Sequence, residues 1–152
     1  MKESSTSDDR SVGRQPGVNP DDARGPLTID QLLRESRIGL KRVHASDLER
    51  ERAAGALVVD TRPIGQRDRD GDLPGAVVID RNVLEWRLDP SSPHRLPIAD
   101  DFGRRIVIVC NEGYSSSLAA RTLQRLGLTQ ATDLIGGFQA WAALGKNCSK
   151  RE

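Results

Sequence analysis

The stretch IVIVCNEGYSSSLAARTLQRL, running from Ile106 to Leu126, holds a strand, a turn and a helix in one line of sequence. Its opening residues, Ile106-Val107-Ile108-Val109, are β-branched, a short apolar run suited to a strand buried in a parallel sheet. Its close has helical spacing, with Leu118, Ala119, Leu123 and Leu126 on one side and Gly127 as the stop. Between them lies Cys110, followed by Asn111, Glu112, Gly113, Tyr114, Ser115 and Ser116. A cysteine delivered to the C-terminal end of a strand just before a helix begins sits over backbone N–H groups that the helix itself leaves unpaired. Such a cluster stabilises a thiolate and binds anions.

An isolated cysteine at a strand end reads as a small buried hydrophobe. Gly113 counts against that reading here, because a backbone bent around an anion often needs a residue without a Cβ. Three consecutive serines, Ser115 to Ser117, add capping hydroxyls and exposed N–H donors at the helix start.

Outward from this unit, strands alternate with helices. Thr28 and Gln31 make a capping box for a first helix ending near Gly39, with Ile29, Leu32 and Leu33 as its apolar stripe. Lys41 to His44 reads as a short edge strand. A second capping box at Ser46-Asp47-Leu48-Glu49 starts a helix that Gly55 terminates. Ala56 to Val59 is a buried strand leading into Asp60-Thr61-Arg62-Pro63, and Gln66 to Asp72 reads as a charged loop. Ala76 to Ile79 is a further strand, Asn82 to Leu88 a short helix carrying Leu84, Trp86 and Leu88, and Asp89 to Pro97 a proline-rich loop. After the cysteine unit come a last strand, Ala131 to Ile135, and a final helix lined by Phe138, Trp141 and Leu144 and ended by Gly145. This alternation predicts one α/β domain over residues 27–145, a central parallel sheet of about five strands with helices on both faces. Residues 1–26, rich in Ser, Asp, Arg, Pro and Gly, read as a disordered tail, and residues 146–152 as a polar C-terminal tail.

Composition narrows the function classes. The 152 residues carry 23 basic and 22 acidic side chains, a formal net charge of +1, which calls for neither nucleic acid nor an anionic membrane. Aromatic residues make up 3%, too few for a base-stacking surface. Cys110 and Cys148 are too few for a disulfide framework, and Cys148 lies in the polar tail. No signal-peptide core or membrane-length apolar run is present, so the expected location is the cytoplasm. His44 and His94 are far apart and outside ligand spacing, so no metal site is expected.

Four segments carry a family resemblance. Cys110 to Ser116 resembles the active-site loop of rhodanese-like sulfurtransferases, Cys-x-x-Gly-x-(Arg, Ser or Thr)-Ser. Leu57-Val58-Val59-Asp60-Thr61-Arg62 is similar to the family's strand and Asp-x-Arg signature, and Gly71-Asp72-Leu73-Pro74-Gly75-Ala76 to its Gly-His-Ile-Pro-Gly-Ala turn. Gly136-Gly137-Phe138-Gln139-Ala140-Trp141 matches its closing Gly-Gly-Phe-x-Ala-Trp. The resemblance implies a rhodanese-like fold and transfer of a sulfane sulfur from a donor such as thiosulfate to a thiophilic acceptor, through a persulfide on Cys110. It implies no cofactor, and small molecules as donor and acceptor. Asn111, Glu112, Gly113, Tyr114, Ser115 and Ser116 would form the substrate cradle.

Individual residues divide between roles. Arg87 is a candidate to attract an anion at the pocket mouth, with a plain surface arginine as the alternative. Asp60 and Arg62 could touch substrate, and otherwise read as a buried ion pair or as backbone hydrogen bonds that brace the cysteine loop. Ser115 stands where many thiosulfate-using members carry a basic residue, and it leaves the donor open. Glu112 would repel an anionic donor if it pointed inward, and would be a solvated loop residue if it pointed out. Asp72 replaces the usual histidine of the turn. Two competing functions remain: a non-catalytic module for binding or sulfur and redox sensing, and a Cys-x5-Arg phosphatase, which would need at Ser116 an arginine for bidentate phosphate binding. The composition names no protein partner.

Overall fold

Side-chain alternation along the two central strands builds the architecture. A computed structural model describes residues 25–145. Among these, α1 (Ile29–Arg37), α2 (Leu48–Ala53), β1 (Leu57–Asp60), α3 (Ile64–Asp70), β2 (Val77–Val78), α4 (Leu84–Leu88), β3 (Ile106–Val109), α5 (Ser115–Arg125), β4 (Ala131–Asp133) and α6 (Gly137–Ala142) follow in chain order. The strands form a four-stranded parallel sheet in the order β2-β1-β3-β4. Leu57 and Val59 of β1 and Ile106 and Ile108 of β3 face Leu84 and Leu88 of α4 and Ala119, Ala120 and Leu123 of α5. Val58, Val107 and Val109 point the other way, onto Leu48 of α2 and Phe138 and Trp141 of α6. A period of two along each strand thus feeds two separate cores, one per face.

The sheet also places the chemistry. From β1 the chain reaches β2 on one side, while β3 pairs on the other, so the carboxyl ends of β1 and β3 meet at a topological switch point. Thr61 closes that edge, its N–H and Oγ1 both donating to the Val109 carbonyl, at 2.9 and 3.1 Å. Cys110 is the next residue.

Several local expectations differ from the structure. The anticipated fifth strand is a single parallel bridge, Val43 to Leu134. The charged segment read as a loop is helix α3. It lacks an apolar stripe because none of its residues is buried, and its fold follows from the turn after Pro63. The second capping box does not form: Ala45–Asp47 is a 3-10 turn, and the Asp47 carboxylate pairs with Arg50. The Thr28–Gln31 capping box does form, but the stripe it introduces is not a core face. Ile29 is 64% exposed and Leu32 is also exposed, and only Ser36 of α1 is buried. Leu126 and Leu144 lie beyond the ends of α5 and α6 and are exposed, as is Trp86 on α4. The readings of residues 1–24 and 146–152 as tails, Cys148 included, lie outside the described residues.

Candidate active site

Cys110 leaves β3 at the switch point and is buried, with 7% of its surface accessible. Its Sγ accepts from the N–H of Gly113 at 3.1 Å and of Ser116 at 3.4 Å. The loop therefore curls around the sulfur with amides inward, and α5 begins at Ser115 beside it. Burial is the largest single influence on the thiol and pushes it up. The Ser116 and Ser115 hydroxyls and the N–H groups of Ser116 and Gly113 outweigh it, so the thiol lies below its ordinary value. The Ser116 hydroxyl has one proton, and its 2.7 Å contact commits that proton to Asp133 Oδ2. The backbone amides are therefore the firm donors to sulfur.

Amides can face inward because the loop carbonyls are taken up outside. The Cys110 carbonyl accepts from Phe138 N–H at 2.8 Å and the Asn111 carbonyl from Gln139 N–H at 3.1 Å, both from the first turn of α6. This close approach explains the glycines. A Cβ on Gly113, at φ +88°, would lie 2.6 Å from Gly136 N, and one on Gly137 2.5 Å from the Cys110 carbonyl oxygen. The Gly136-Gly137 pair serves the cysteine loop as much as the final helix.

Behind the loop is a buried polar group. Asp133, fully buried in β4, accepts from Ser116 Oγ and Ser117 Oγ at 2.7 Å each. Arg42 neutralises it, with Nε at 2.8 Å from Oδ1 and Nη2 at 3.2 Å from Oδ2. Arg42 Nη2 also donates to the Gly113 carbonyl, as does Arg37 Nη2. Of the serines expected to cap α5, Ser116 and Ser117 donate to Asp133 instead, and Tyr114 stands at the cap position without a side-chain bond.

The other candidates are dispersed around this centre. Glu112, Tyr114 and Ser115 are exposed at the rim, while Ser116 is fully buried. Asn111 Oδ1 accepts from Gln139 Nε2, which also donates to Asp70, so its side chain is tied to α6 and α3. Asp60 and Arg62 form a buried ion pair at 2.8 Å. Arg62 further donates to the Gly71 carbonyl and lies 3.7 Å over the Phe138 ring. Its support of the loop runs through α6 and not by direct contact. Arg87 donates to the His94 carbonyl at 2.7 Å. Its neighbours Glu85, Trp86 and Asp89 share a hollow with Leu126, at the end of α5 remote from the cysteine. The side-chain hydrogen bond to His94 thus ties Arg87 to the proline-rich loop. Asp133, Arg37, Arg42, Ser117 and Gln139 escaped the sequence reading. An acidic residue inside a strand was the available signal for Asp133, since a buried carboxylate requires partners.

The chain is similar to known proteins. Residues 44–144 match the family described as Rhodanese-like domain. The chain belongs to that family. The rhodanese-like segment begins after Arg42, so both arginines on the Gly113 carbonyl lie outside it. Among relatives, the thiosulfate sulfurtransferase GlpE of Stutzerimonas stutzeri is 29% identical over 104 residues, covering 66% of this chain and 84% of that protein. The adenylyltransferase and sulfurtransferase MOCS3-1 of Zea mays is 33% identical over 85 residues, 56% of this chain; the chain spans only 18% of its length. A solved structure from Rhodopseudomonas palustris, a protein of unknown function described as a possible tyrosine phosphatase, superposes with a TM-score of 0.73. It is 29% identical and covers 90% of this chain and 100% of its own.

Proposed function

We propose that this rhodanese-like protein is a sulfurtransferase that carries a sulfane sulfur as a persulfide on Cys110. The observation that carries the proposal is the pair of N–H donors, Gly113 and Ser116, aimed at a buried sulfur whose thiol is lowered from its ordinary value. In the first half-reaction the Cys110 thiolate attacks the outer sulfur of thiosulfate. The donor's S–S bond breaks and sulfite leaves with its electron pair. The inward amides stabilise the anionic persulfide. In the second half-reaction a thiophile such as cyanide takes the outer sulfur, and Cys110 departs as thiolate. Electrons balance without an external oxidant, and no metal or organic cofactor takes part. The kinetics are ping-pong, because the protein holds the sulfur between two substrates. Small molecules are the proposed donor and acceptor, and a reducing cytoplasm the proposed location. The GlpE name of a relative spanned over most of its length favours thiosulfate as donor.

The phosphatase reading has the description of the Rhodopseudomonas neighbour in its favour. Side-chain chemistry weighs against it. Ser116 occupies the arginine position and donates a hydrogen bond to Asp133, while Arg121 lies exposed in α5 and donates to Gln124. Arg37 and Arg42 are both engaged on a loop carbonyl. The deciding assay measures thiocyanate formed from cyanide with thiosulfate or mercaptopyruvate, beside aryl phosphate hydrolysis. Thiocyanate formation lost in Cys110→Ala supports the transferase. Thiocyanate from neither donor overturns it and favours a non-catalytic module, and Cys110-dependent phosphate release favours the phosphatase.

A further inference from the structure

The peptide joining Gly113 to Tyr114 is gripped from outside the family segment. Arg37 Nη2 donates to the Gly113 carbonyl at 2.8 Å and Arg42 Nη2 at 3.1 Å. A trans peptide is planar, so its C=O and N–H point in opposite directions. Holding the Gly113 carbonyl toward the arginines turns the Tyr114 N–H away from them, in the same loop whose Gly113 and Ser116 amides meet Sγ. No described residue accepts from that Tyr114 N–H. Rotation of this peptide changes ψ of Gly113, where a residue without a Cβ has wide freedom, together with φ of Tyr114, so the bonds to its carbonyl help to fix its orientation. Flipped, it would present a carbonyl oxygen to a thiolate, a persulfide or an anionic donor.

The grip is closed into a ring. Arg37 Nε donates to Ser117 Oγ at 2.9 Å, Ser117 Oγ donates to Asp133, and the Arg42 fork holds Asp133 and returns to the Gly113 carbonyl. Arg37 is the member supplied by α1, a helix whose apolar residues Ile29 and Leu32 stay exposed. The helix packs along α5, and the Arg37 fork extends that contact to the cysteine loop.

We propose that Arg37 is a positioning residue that keeps the anion-holding amides turned toward Cys110, making the site depend on α1. Its consequence for turnover rests on the sulfurtransferase reading; its consequence for the Cys110 thiol does not.

The test follows the pH midpoint of iodoacetamide alkylation at the Cys110 peptide by mass spectrometry, and in parallel the rate of sulfur loading from thiosulfate. Arg37→Ala should raise the midpoint by about half a unit or more and slow loading roughly tenfold, with Arg34→Ala, an exposed neighbour on α1, unchanged. Arg37→Lys keeps a charge and the helix but not the two-atom fork, so loading should stay low even where Arg37→Ala is poorly folded. Parental midpoint and loading in Arg37→Ala would overturn the proposal, as would full recovery by lysine or an equal shift from Arg34→Ala. If the parent never loads sulfur, the functional reading fails while the midpoint comparison still decides the role of Arg37.

Discussion

Gly137 lies against Cys110 so closely that a Cβ at position 137 would stand 2.5 Å from the Cys110 carbonyl oxygen. The next amide, Phe138 N–H, donates to that same oxygen at 2.8 Å. The backbone of the last helix therefore sets the shape of the cysteine loop. Gly137→Ala should push the two apart. The strained φ of +61° adds to the clash, and a loss of about 2–4 kcal/mol in unfolding free energy is expected from denaturant titration. Alkylation of Cys110 in the folded variant should lose its lowered pH midpoint. A variant as stable as the parent with an unchanged midpoint would show that the loop holds its shape alone.

The Asp60–Arg62 pair supports this arrangement from the neighbouring strand. Both side chains are out of water, at 1% and 0% exposure. Replacing Arg62 by Met removes the cation from the Phe138 ring and strands a buried carboxylate, which costs about 3–5 kcal/mol. Asp60→Asn combined with Arg62→Met should recover part of that loss, because the uncompensated charge is gone. Urea melts of the two variants and the parent measure it; equal losses would mean that packing, not charge, dominates.

The lowered thiol of Cys110 links stability to pH. An acid whose folded value lies below its unfolded value contributes stability that is complete above the unfolded value and lost as pH falls through the folded one. In the interval between them the unfolded chain keeps a proton that the folded chain has released. The stability of the parent relative to Cys110→Ala should therefore grow as pH rises through the mildly alkaline range. A difference that is flat, or that shrinks with pH, would contradict amide stabilisation of the thiolate.

Glu112 is exposed beside the cradle and sets a negative charge near the path of an anionic donor. Glu112→Gln should speed thiosulfate loading about two- to threefold at low ionic strength, with the gain fading as salt is added. Stopped-flow or quenched loading at two salt concentrations checks it, and no salt-dependent gain would mean that the carboxylate is fully solvated and irrelevant.

The legibility of this fold in the sequence followed local pattern. β1 and β3 announced themselves as unbroken apolar runs, and Thr28 with Gln31 as a capping box, because those signals need only neighbouring residues. Helix α3 was hidden because Ile64 to Asp70 stays on the surface and so carries no apolar period. The α1 stripe misled for the opposite reason: Ile29 and Leu32 have the spacing of a core face, but no sheet lies against them. At the site, Cys110, Gly113 and Ser116 were visible because one short segment holds them. Asp133, Arg42 and Arg37 were not, since the ring joining them spans 96 positions, from Arg37 to Asp133, and only folding brings it together. Arg87 was the reverse case, a cation at a plausible sequence position whose hydrogen bond goes to His94.

The most direct test of a persulfide on Cys110 is the mass of the protein after incubation with thiosulfate. The expected result is a gain of one sulfur atom, located on the Cys110 peptide, discharged by cyanide and absent from Cys110→Ala. An unmodified mass with both thiosulfate and mercaptopyruvate, or a gain that survives in Cys110→Ala, would contradict it.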